Sequence, residues 1–412
     1  MRGGFEKGQV MLLRGAAITL WLMASWAFGH GQALAQQTLA QQAPAQPACS
    51  VAAFEIQPEA TVAACTAVLD KSGLSDAERA ETLKIRARSL HTTGRLDDAI
   101  KDYDAALLLA PKDPELHLRR GWTAYDKADF KTVLDQANEA IKLKPGYADA
   151  YDLIGAMLAR REVGRRHEAM AVFTEAIRLD PNVPLFHIHL MDVFTCCGMP
   201  EDALREADAV LHLPVASITK PNATEFYLKR TSYRTVASLE RARMLSILGR
   251  NDEAKQAYDQ AVHDDPGALT YAGRAAFRLE QLQAPLDTVQ ADLDKSLADD
   301  ANNWFSHGLE GRVHFYRKDY AGAEPEFARS LAIYPINGEM RWWHAMTLRL
   351  LGRSDAAAEE AVMAFRVDPG FMFGKVRTLQ KLGFLPTLPA DGDPMPALYD
   401  AARACMLDEH CS

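Results

Sequence analysis

The stretch at residues 94–111, GRLDDAIKDYDAALLLAP, has the pattern of one amphipathic helix with a marked start and end. A glycine precedes it, small and aromatic residues such as Ala99 and Tyr103 recur at helical spacing, and a proline stops it. Closely similar stretches stand at residues 249–266, GRNDEAKQAYDQAVHDDP, and 352–369, GRSDAAAEEAVMAFRVDP. The chain therefore repeats one helical unit rather than forming unrelated elements.

Three columns of residues define the repeat. Helix-ending prolines stand at Pro111, Pro145, Pro181, Pro214, Pro266, Pro335 and Pro369. A small-residue column contains Ala99, Val133, Ala169, Ala203, Ala254, Val289, Ala323 and Ala357. A turn column contains Gly94, Ala128, Gly164, Gly198, Gly249, Ala284, Lys318 and Gly352. Steps within the last two columns are 34 to 36 residues, apart from one step of 51, so a single insertion interrupts a regular array.

A period of 34 with two helices per unit resembles the tetratricopeptide repeat, in which small residues let paired helices approach and a proline ends the second helix. The lead-in around Cys49 resembles that of exported bacterial proteins of this type. The resemblance implies an all-α fold, an α-α superhelix (a tetratricopeptide solenoid) of about seven to eight helix pairs with a C-terminal capping helix. Stacking of neighbouring units would supply its stability.

The sequence predicts four segments. Residues 1–35 are expected to form a signal peptide, 36–47 a flexible linker, 48–371 the repeat array and 372–412 a C-terminal cap. The predicted units lie near residues 80–113, 114–147, 148–183, 184–217, 235–268, 269–303, 304–337 and 338–371. The inserted residues 215–234 suit either a loop with a helix extension or a ligand loop.

The first 35 residues are predicted to direct export. Arg2, Lys7 and Arg14 precede an apolar stretch too short to cross a bilayer, and the small-residue pattern Ala33-Leu34-Ala35 follows. Cleavage before Gln36 would leave a periplasmic or secreted protein without a stable membrane span. An uncleaved anchor is the alternative.

The composition of the sequence and the motifs it lacks limit the function classes. Lys and Arg total 46 against 55 Asp and Glu, a net charge of −9, so a nucleic-acid partner is not expected. The sequence lacks the serine-elbow, phosphate-loop, zinc-protease and C-x-x-C motifs. We therefore predict a protein that is not an enzyme, with no cofactor and no metal.

The six cysteines fit an exported chain. Cys49 and Cys65 bracket the helix that leads into the array, and Cys405 and Cys411 bracket the end of the sequence, so we expect these two disulfides. Cys196 and Cys197 are adjacent, and two reduced thiols are favoured over a strained disulfide.

The resemblance implies that the first helix of each unit lines a concave groove. Carried onto this chain, it selects Lys84, Arg88, Trp122, Tyr125, Arg160, Arg243, Arg312, Phe315, Tyr316, Trp342 and Arg349. Packing against neighbouring helices is the competing explanation for the aromatic members, whereas Arg243, Arg312 and Tyr316 are expected on the solvent side. We predict an exported, non-catalytic scaffold that binds a peptide or protein partner in this groove. The alternative is an accessory subunit of envelope polysaccharide or secretion machinery.

Overall fold

The computed structural model describes residues 49–51, 53, 57–160, 162–214, 232–385, 395–408 and 411. These residues contain nineteen helices of 12 residues or more and no strand. The predicted signal peptide and linker, and most of the 215–234 insertion, lie outside the described residues. None of the described helices is long and apolar enough to span a membrane.

The helices divide between two compact units. The N-terminal unit extends to Cys197 and includes the end of α9 from Glu206, and the C-terminal unit contains Gly198–Arg205 and the chain from Arg234 onward. The first nine helices are α1 Pro58–Leu69, α2 Asp76–Thr92, α3 Leu96–Leu109, α4 Pro114–Asp126, α5 Phe130–Leu143, α6 Ala148–Ala159, α7 Arg166–Leu179, α8 Pro184–Cys196 and α9 Pro200–His212. The other ten are α10 Tyr233–Ile247, α11 Asn251–Asp264, α12 Ala268–Glu280, α13 Leu286–Asp299, α14 Trp304–Tyr316, α15 Tyr320–Ile333, α16 Gly338–Leu350, α17 Ser354–Val367, α18 Pro369–Lys381 and α19 Met395–Leu407.

The small-residue column lies on the second helix of each pair and, in pairs that belong to one compact unit, forms the seam between the two helices. Its eight members are all fully buried, with 0% of their surface exposed: Ala99, Val133, Ala169, Ala203, Ala254, Val289, Ala323 and Ala357. A glycine of the first helix lets an aromatic ring approach closely, because a Cβ on Gly155 would lie 2.6 Å from the Phe173 ring and one on Gly311 2.8 Å from the Phe327 ring. Consecutive helices such as α2 and α3, α6 and α7, and α14 and α15 pack together along these seams.

The turn between the two helices of a pair needs one residue in the left-handed region. Seven members of the turn column have a positive φ, including the non-glycines Ala128 at 57° and Lys318 at 62°. In the sixth repeat, residues 269–303, the predicted turn residue is wrong by one position. Gln283, with φ 46°, takes the left-handed conformation instead of Ala284. Pro285 follows Ala284, and a residue before proline is restricted to extended conformations.

The C-terminal helix covers the last pair. α19 packs against α17, and its Leu398, Ala402 and Met406 join a buried apolar cluster with Ala361 and Phe365. An apolar face that would otherwise be exposed at the end of the stack is thereby buried, as a solenoid requires.

Candidate functional site

Within each of the two compact units, the first helices of successive helix pairs contact one another directly. α2 contacts α4, α4 contacts α6 and α6 contacts α8 in the N-terminal unit, and α12, α14, α16 and α18 do the same in the C-terminal unit. We call the surface formed by these helices the first-helix face of its unit. All the groove residues predicted from the sequence belong to helices of these two faces or to their ends, apart from Arg243, which lies on α10.

Charged and hydrogen-bonding side chains link the helices of the N-terminal first-helix face to one another. Lys84 of α2 lies 3.2 Å from the Glu115 carboxylate of α4, and Arg119 lies 2.7 Å from the same carboxylate. His189 of α8 lies 2.7 Å from Asp152 of α6. A partner that binds Lys84 would therefore compete with carboxylates that already hold it.

The basic side chains around Glu115 lower the pKa of its carboxyl group. Burial would raise the pKa of Glu115, but the charges and hydrogen bonds of Arg119 and Lys84 outweigh it and lower the pKa to about 2. The Glu115 carboxylate is therefore ionised throughout the ordinary pH range and fixes the spacing between α2 and α4.

Three of the predicted groove residues meet at the C-terminal ends of α4 and α6. The Arg160 guanidinium lies 4.9 Å from the centre of the Tyr125 ring and donates a hydrogen bond to the Tyr125 carbonyl at 3.3 Å. The Trp122 ring packs edge-on against Tyr125 at 5.5 Å. Trp122 is buried, so it supports the Tyr125 ring from within the helix stack. Arg88 is half-buried on α2.

No sequence motif marks the acid pair Asp149 and Asp152 on α6. Asp152 is 1% exposed, and burial together with the Asp152 charge raises the pKa of Asp149 to about 6. The two acids stand three residues apart and share a helix face, which the sequence does show. Asp152 is buried where His189 of α8 contacts it, and this packing between helices is not visible in the sequence.

The centre of the C-terminal first-helix face is a buried charge under aromatic rings. Arg312 of α14 is 7% exposed and lies 2.5 Å from Glu280 of α12 and 3.7 Å from Glu339 of α16. Burial lowers the pKa of Arg312, but the two carboxylates raise it more, so the guanidinium stays charged. The expectation that Arg312 faces solvent is wrong, because the acids of two neighbouring helices draw it into the stack.

Aromatic rings cover the group formed by Arg312, Glu280 and Glu339, which we call the Arg312 cluster. The Trp343 ring lies 5.2 Å from the Arg312 guanidinium, and Tyr316 packs edge-on against Trp343 at 5.8 Å. Phe315 also contacts Trp343, at 5.2 Å. Tyr316 is 46% exposed, so a large aromatic surface reaches solvent directly beside buried charge.

Lys375 extends the cluster toward α18. Its ammonium lies 5.0 Å from the centre of the Trp342 ring, and burial lowers the pKa of Lys375. Burial also raises the pKa of the nearby Glu339. The sequence pattern selected Trp342, which is buried, and missed Trp343, which lies beside Tyr316. One residue along a helix turns the side chain by about 100°, so a pattern that is one position off selects the wrong face.

Arg243 and Arg349 of the predicted set lie in other contacts of the C-terminal unit. Arg243 lies within 3.0 Å of Glu240 on the same helix. Arg349 donates a hydrogen bond to the Asp408 carbonyl at 2.9 Å and so links α16 to the end of α19. Neither residue is part of the Arg312 cluster.

In each of the two predicted cysteine pairs, the two cysteines lie close together. The Cα atoms of Cys49 and Cys65 lie 4.7 Å apart, and those of Cys405 and Cys411 lie 5.1 Å apart, spacings that suit disulfides. Cys196 and Cys197 are both half-buried at the end of α8. Oxidation of the two pairs remains a prediction about the compartment of the protein.

Comparison with known families identifies the repeats. One tetratricopeptide repeat family profile matches residues 86–148 and 309–365, and another matches residues 148–183. The chain contains tetratricopeptide repeats. They occur in both compact units, and repeats of this family generally serve as protein–protein interaction scaffolds.

Several repeat proteins are similar over part of their length. Superkiller complex protein 3 of Mus musculus is 27% identical over 181 residues, which cover 43% of this chain and 11% of that protein. Hsp70-Hsp90 organizing protein of Triticum aestivum is 26% identical over 103 residues, 25% of this chain and 17% of that protein. The chain thus spans less than a fifth of the length of either relative.

A solved tetratricopeptide repeat protein from Parabacteroides merdae also aligns with this chain. The TM-score is 0.49 and the identity is 14%, over 66% of this chain and 99% of that one.

Proposed function

We propose that this tetratricopeptide repeat chain is a non-catalytic scaffold and that the C-terminal first-helix face binds an extended peptide segment of a partner. The observation that carries the proposal is the exposed ring of Tyr316, held edge-on by Trp343 above the Arg312 cluster. Tyr, Trp and Arg dominate the binding energy of protein interfaces when they are held rigidly by their surroundings.

The two carboxylates that hold Arg312 are more accessible than its guanidinium. Arg312 has 8% of its side chain exposed, against 28% for Glu280 and 30% for Glu339, so a partner meets the carboxylates and not the guanidinium. Six of the eleven groove residues named from the sequence are Lys or Arg, a set that by itself would suit the carboxylates of a partner. With Arg312 buried, the preferred peptide is one that places an apolar or aromatic side chain on Tyr316 and a Lys or Arg near Glu280 or Glu339.

A displayed library of random peptides, selected against the full chain, tests this proposal. We expect enriched peptides that combine an apolar residue with a Lys or Arg, and we expect Tyr316→Ala to weaken their binding at least tenfold. The control is Ile336→Ala, because Ile336 is 50% exposed in the same unit but lies between α15 and α16.

The thermal unfolding of both variants separates binding from folding. Removal of an exposed side chain without packing partners usually changes stability by less than about 0.5 kcal/mol, so Ile336→Ala should unfold close to the unmodified chain. Tyr316→Ala also loses the ring contact with Trp343, worth about 0.5–1.5 kcal/mol, and should unfold slightly lower with the same helix content. Equal peptide affinity of the Tyr316→Ala and Ile336→Ala variants would place the binding surface elsewhere. Replacing the peptide's Lys or Arg by Gln tests the charge preference separately.

We also propose that the chain is exported to the periplasm or secreted. The basic residues before an apolar stretch, the Ala33-Leu34-Ala35 pattern and the close spacing of the two cysteine pairs support this proposal. Intact-mass and peptide mapping of the protein from its native host should find Gln36 at the N-terminus and the two disulfides Cys49–Cys65 and Cys405–Cys411. Free thiols at all four positions would refute the compartment.

A further inference from the structure

A histidine and two glutamates converge between α14 and α15. One ligand atom each from His307, Glu310 and Glu326 can be chosen so that all three lie within 4.8 Å of one another. His307 and Glu310 stand three residues apart on α14, and Glu326 faces them from α15. The shortest of the contacts joins His307 Nδ1 and Glu326 Oε2 at 2.7 Å.

The neighbours of these side chains leave one donor atom of each residue for a shared ligand. His307 Nε2 lies 3.1 Å from the Ala301 carbonyl, to which it donates its proton, and the lone pair of Nδ1 can then face Glu326. Arg329 binds Oε1 of Glu326, and Gln290 donates to Oε1 of Glu310. Oε2 of each carboxylate therefore remains for the cluster. A backbone carbonyl that fixes the ring of a ligating histidine is the usual arrangement around protein metal ions.

Two other repeats provide an internal comparison for this histidine. His187 makes the same two contacts, to the Pro181 carbonyl at 3.1 Å and to Glu206 at 2.7 Å. His117 makes them to the Pro111 carbonyl at 3.1 Å and to Gln136 at 2.8 Å. The position of Glu310 holds Leu190 in the first case and Arg120 in the second. The histidine contact therefore links two helices wherever it occurs, and that link does not need a carboxylate at the position of Glu310.

We propose that His307, Glu310 and Glu326 form a Zn²⁺ site that joins α14 to α15. One imidazole nitrogen and two carboxylate oxygens are a suitable set of three protein ligands for Zn²⁺, with water in the fourth position. Bound Zn²⁺ would replace the proton that otherwise lies between His307 and Glu326, and shifts of the order of 1 Å would bring the three donors to about 2 Å from the ion. The metal would fix α14, the helix that also carries Arg312 and Tyr316.

Zn²⁺ titration of the full chain, first stripped of metal by a chelator, tests the site. We expect one saturable tight site, measured by competition with a chromophoric chelator, and a rise in the unfolding temperature on Zn²⁺ addition. Glu310→Leu, which copies Leu190 of the matching repeat, should weaken Zn²⁺ at least tenfold and remove the temperature rise. Glu310→Gln should do the same while keeping the size of the side chain.

The matched control is Glu206→Gln, which alters the corresponding carboxylate of the pair that lacks a third ligand. It should leave Zn²⁺ affinity unchanged. Co²⁺ in the same site should give visible d–d absorption in the unmodified chain and lose it in Glu310→Leu. The proposal is overturned if the unmodified chain shows no saturable site, or if Glu310→Leu binds Zn²⁺ as tightly as the unmodified chain. Either result leaves the peptide proposal untouched, because the metal assay contains no peptide.

Discussion

Two carboxylates of the N-terminal first-helix face have pKa values shifted in opposite directions. Glu115, held by Arg119 and Lys84, has its pKa lowered to about 2, and the half-buried Asp149, near the charge of Asp152, has its pKa raised to about 6. In a folded protein such shifts are statements about stability as a function of pH. Glu115 stabilises the fold when ionised, and Asp149 opposes it when ionised.

We therefore expect Asp149→Asn to be more stable than the unmodified chain at neutral pH. The folded state retains the Asp149 proton up to about pH 6, whereas the unfolded chain releases it near the ordinary aspartate pKa of 3.8. The contribution of Asp149 is thus present at low pH and is lost as the pH rises through this window. The stability difference should grow from about pH 4 to pH 6 and then stay constant.

Glu115→Gln provides the opposite comparison. An ionised Glu115 stabilises the fold above the ordinary glutamate pKa of 4.5, and this contribution is lost as the pH falls toward 2. The variant should be less stable than the unmodified chain at pH 7, with a difference that shrinks below about pH 4.5. Denaturant midpoints between pH 3 and 8 measure both variants, and a pH-independent gap for Asp149→Asn would show that its carboxyl is not perturbed.

At the scale of the element, the inter-helix turns carry a conformational cost where glycine is absent. Ala128 and Lys318 have φ values of 57° and 62°, in the left-handed region that costs a non-glycine residue about 1 kcal/mol or more. Ala128→Gly and Lys318→Gly should therefore each raise the free energy of unfolding by about 0.5–1 kcal/mol. Ala105→Gly is the control, because Ala105 lies inside α3, where glycine destabilises by about the same amount. Equal signs for Ala128→Gly and Ala105→Gly would contradict the turn geometry.

Repeat columns predict elements well because they record local packing. The small-residue column and seven of the eight turn residues follow directly from the sequence, because each depends on contacts within a single repeat. The pairing of Arg312 with Glu280 and Glu339 could not be predicted in this way. Those acids come from the neighbouring repeats, 32 residues before and 27 after, and no motif joins them. The exposure of side chains on the first-helix faces depends on such partners.

At the scale of the whole molecule, the two units present different first-helix faces. The N-terminal face is held by polar contacts such as the ion pair of Lys84 with Glu115 and the hydrogen bond between His189 and Asp152. The C-terminal face presents the aromatic pair Tyr316 and Trp343 over buried charge. A fold shared by both units therefore does not imply a shared binding chemistry, because the partner is chosen by side chains that the repeat pattern leaves variable.

The claim that Tyr316 contacts a bound peptide is tested most directly by photo-crosslinking. A benzophenone amino acid replaces Tyr316 in one full-length protein and Ile336 in another, and each is irradiated with the same library-selected peptide. Tyr316 and Ile336 are similarly exposed, at 46% and 50%, so accessibility alone predicts equal yields. We expect the peptide to crosslink at position 316 and not at position 336. Crosslinking at position 336 with none at 316, or equal yields at both, would contradict peptide binding on the C-terminal first-helix face.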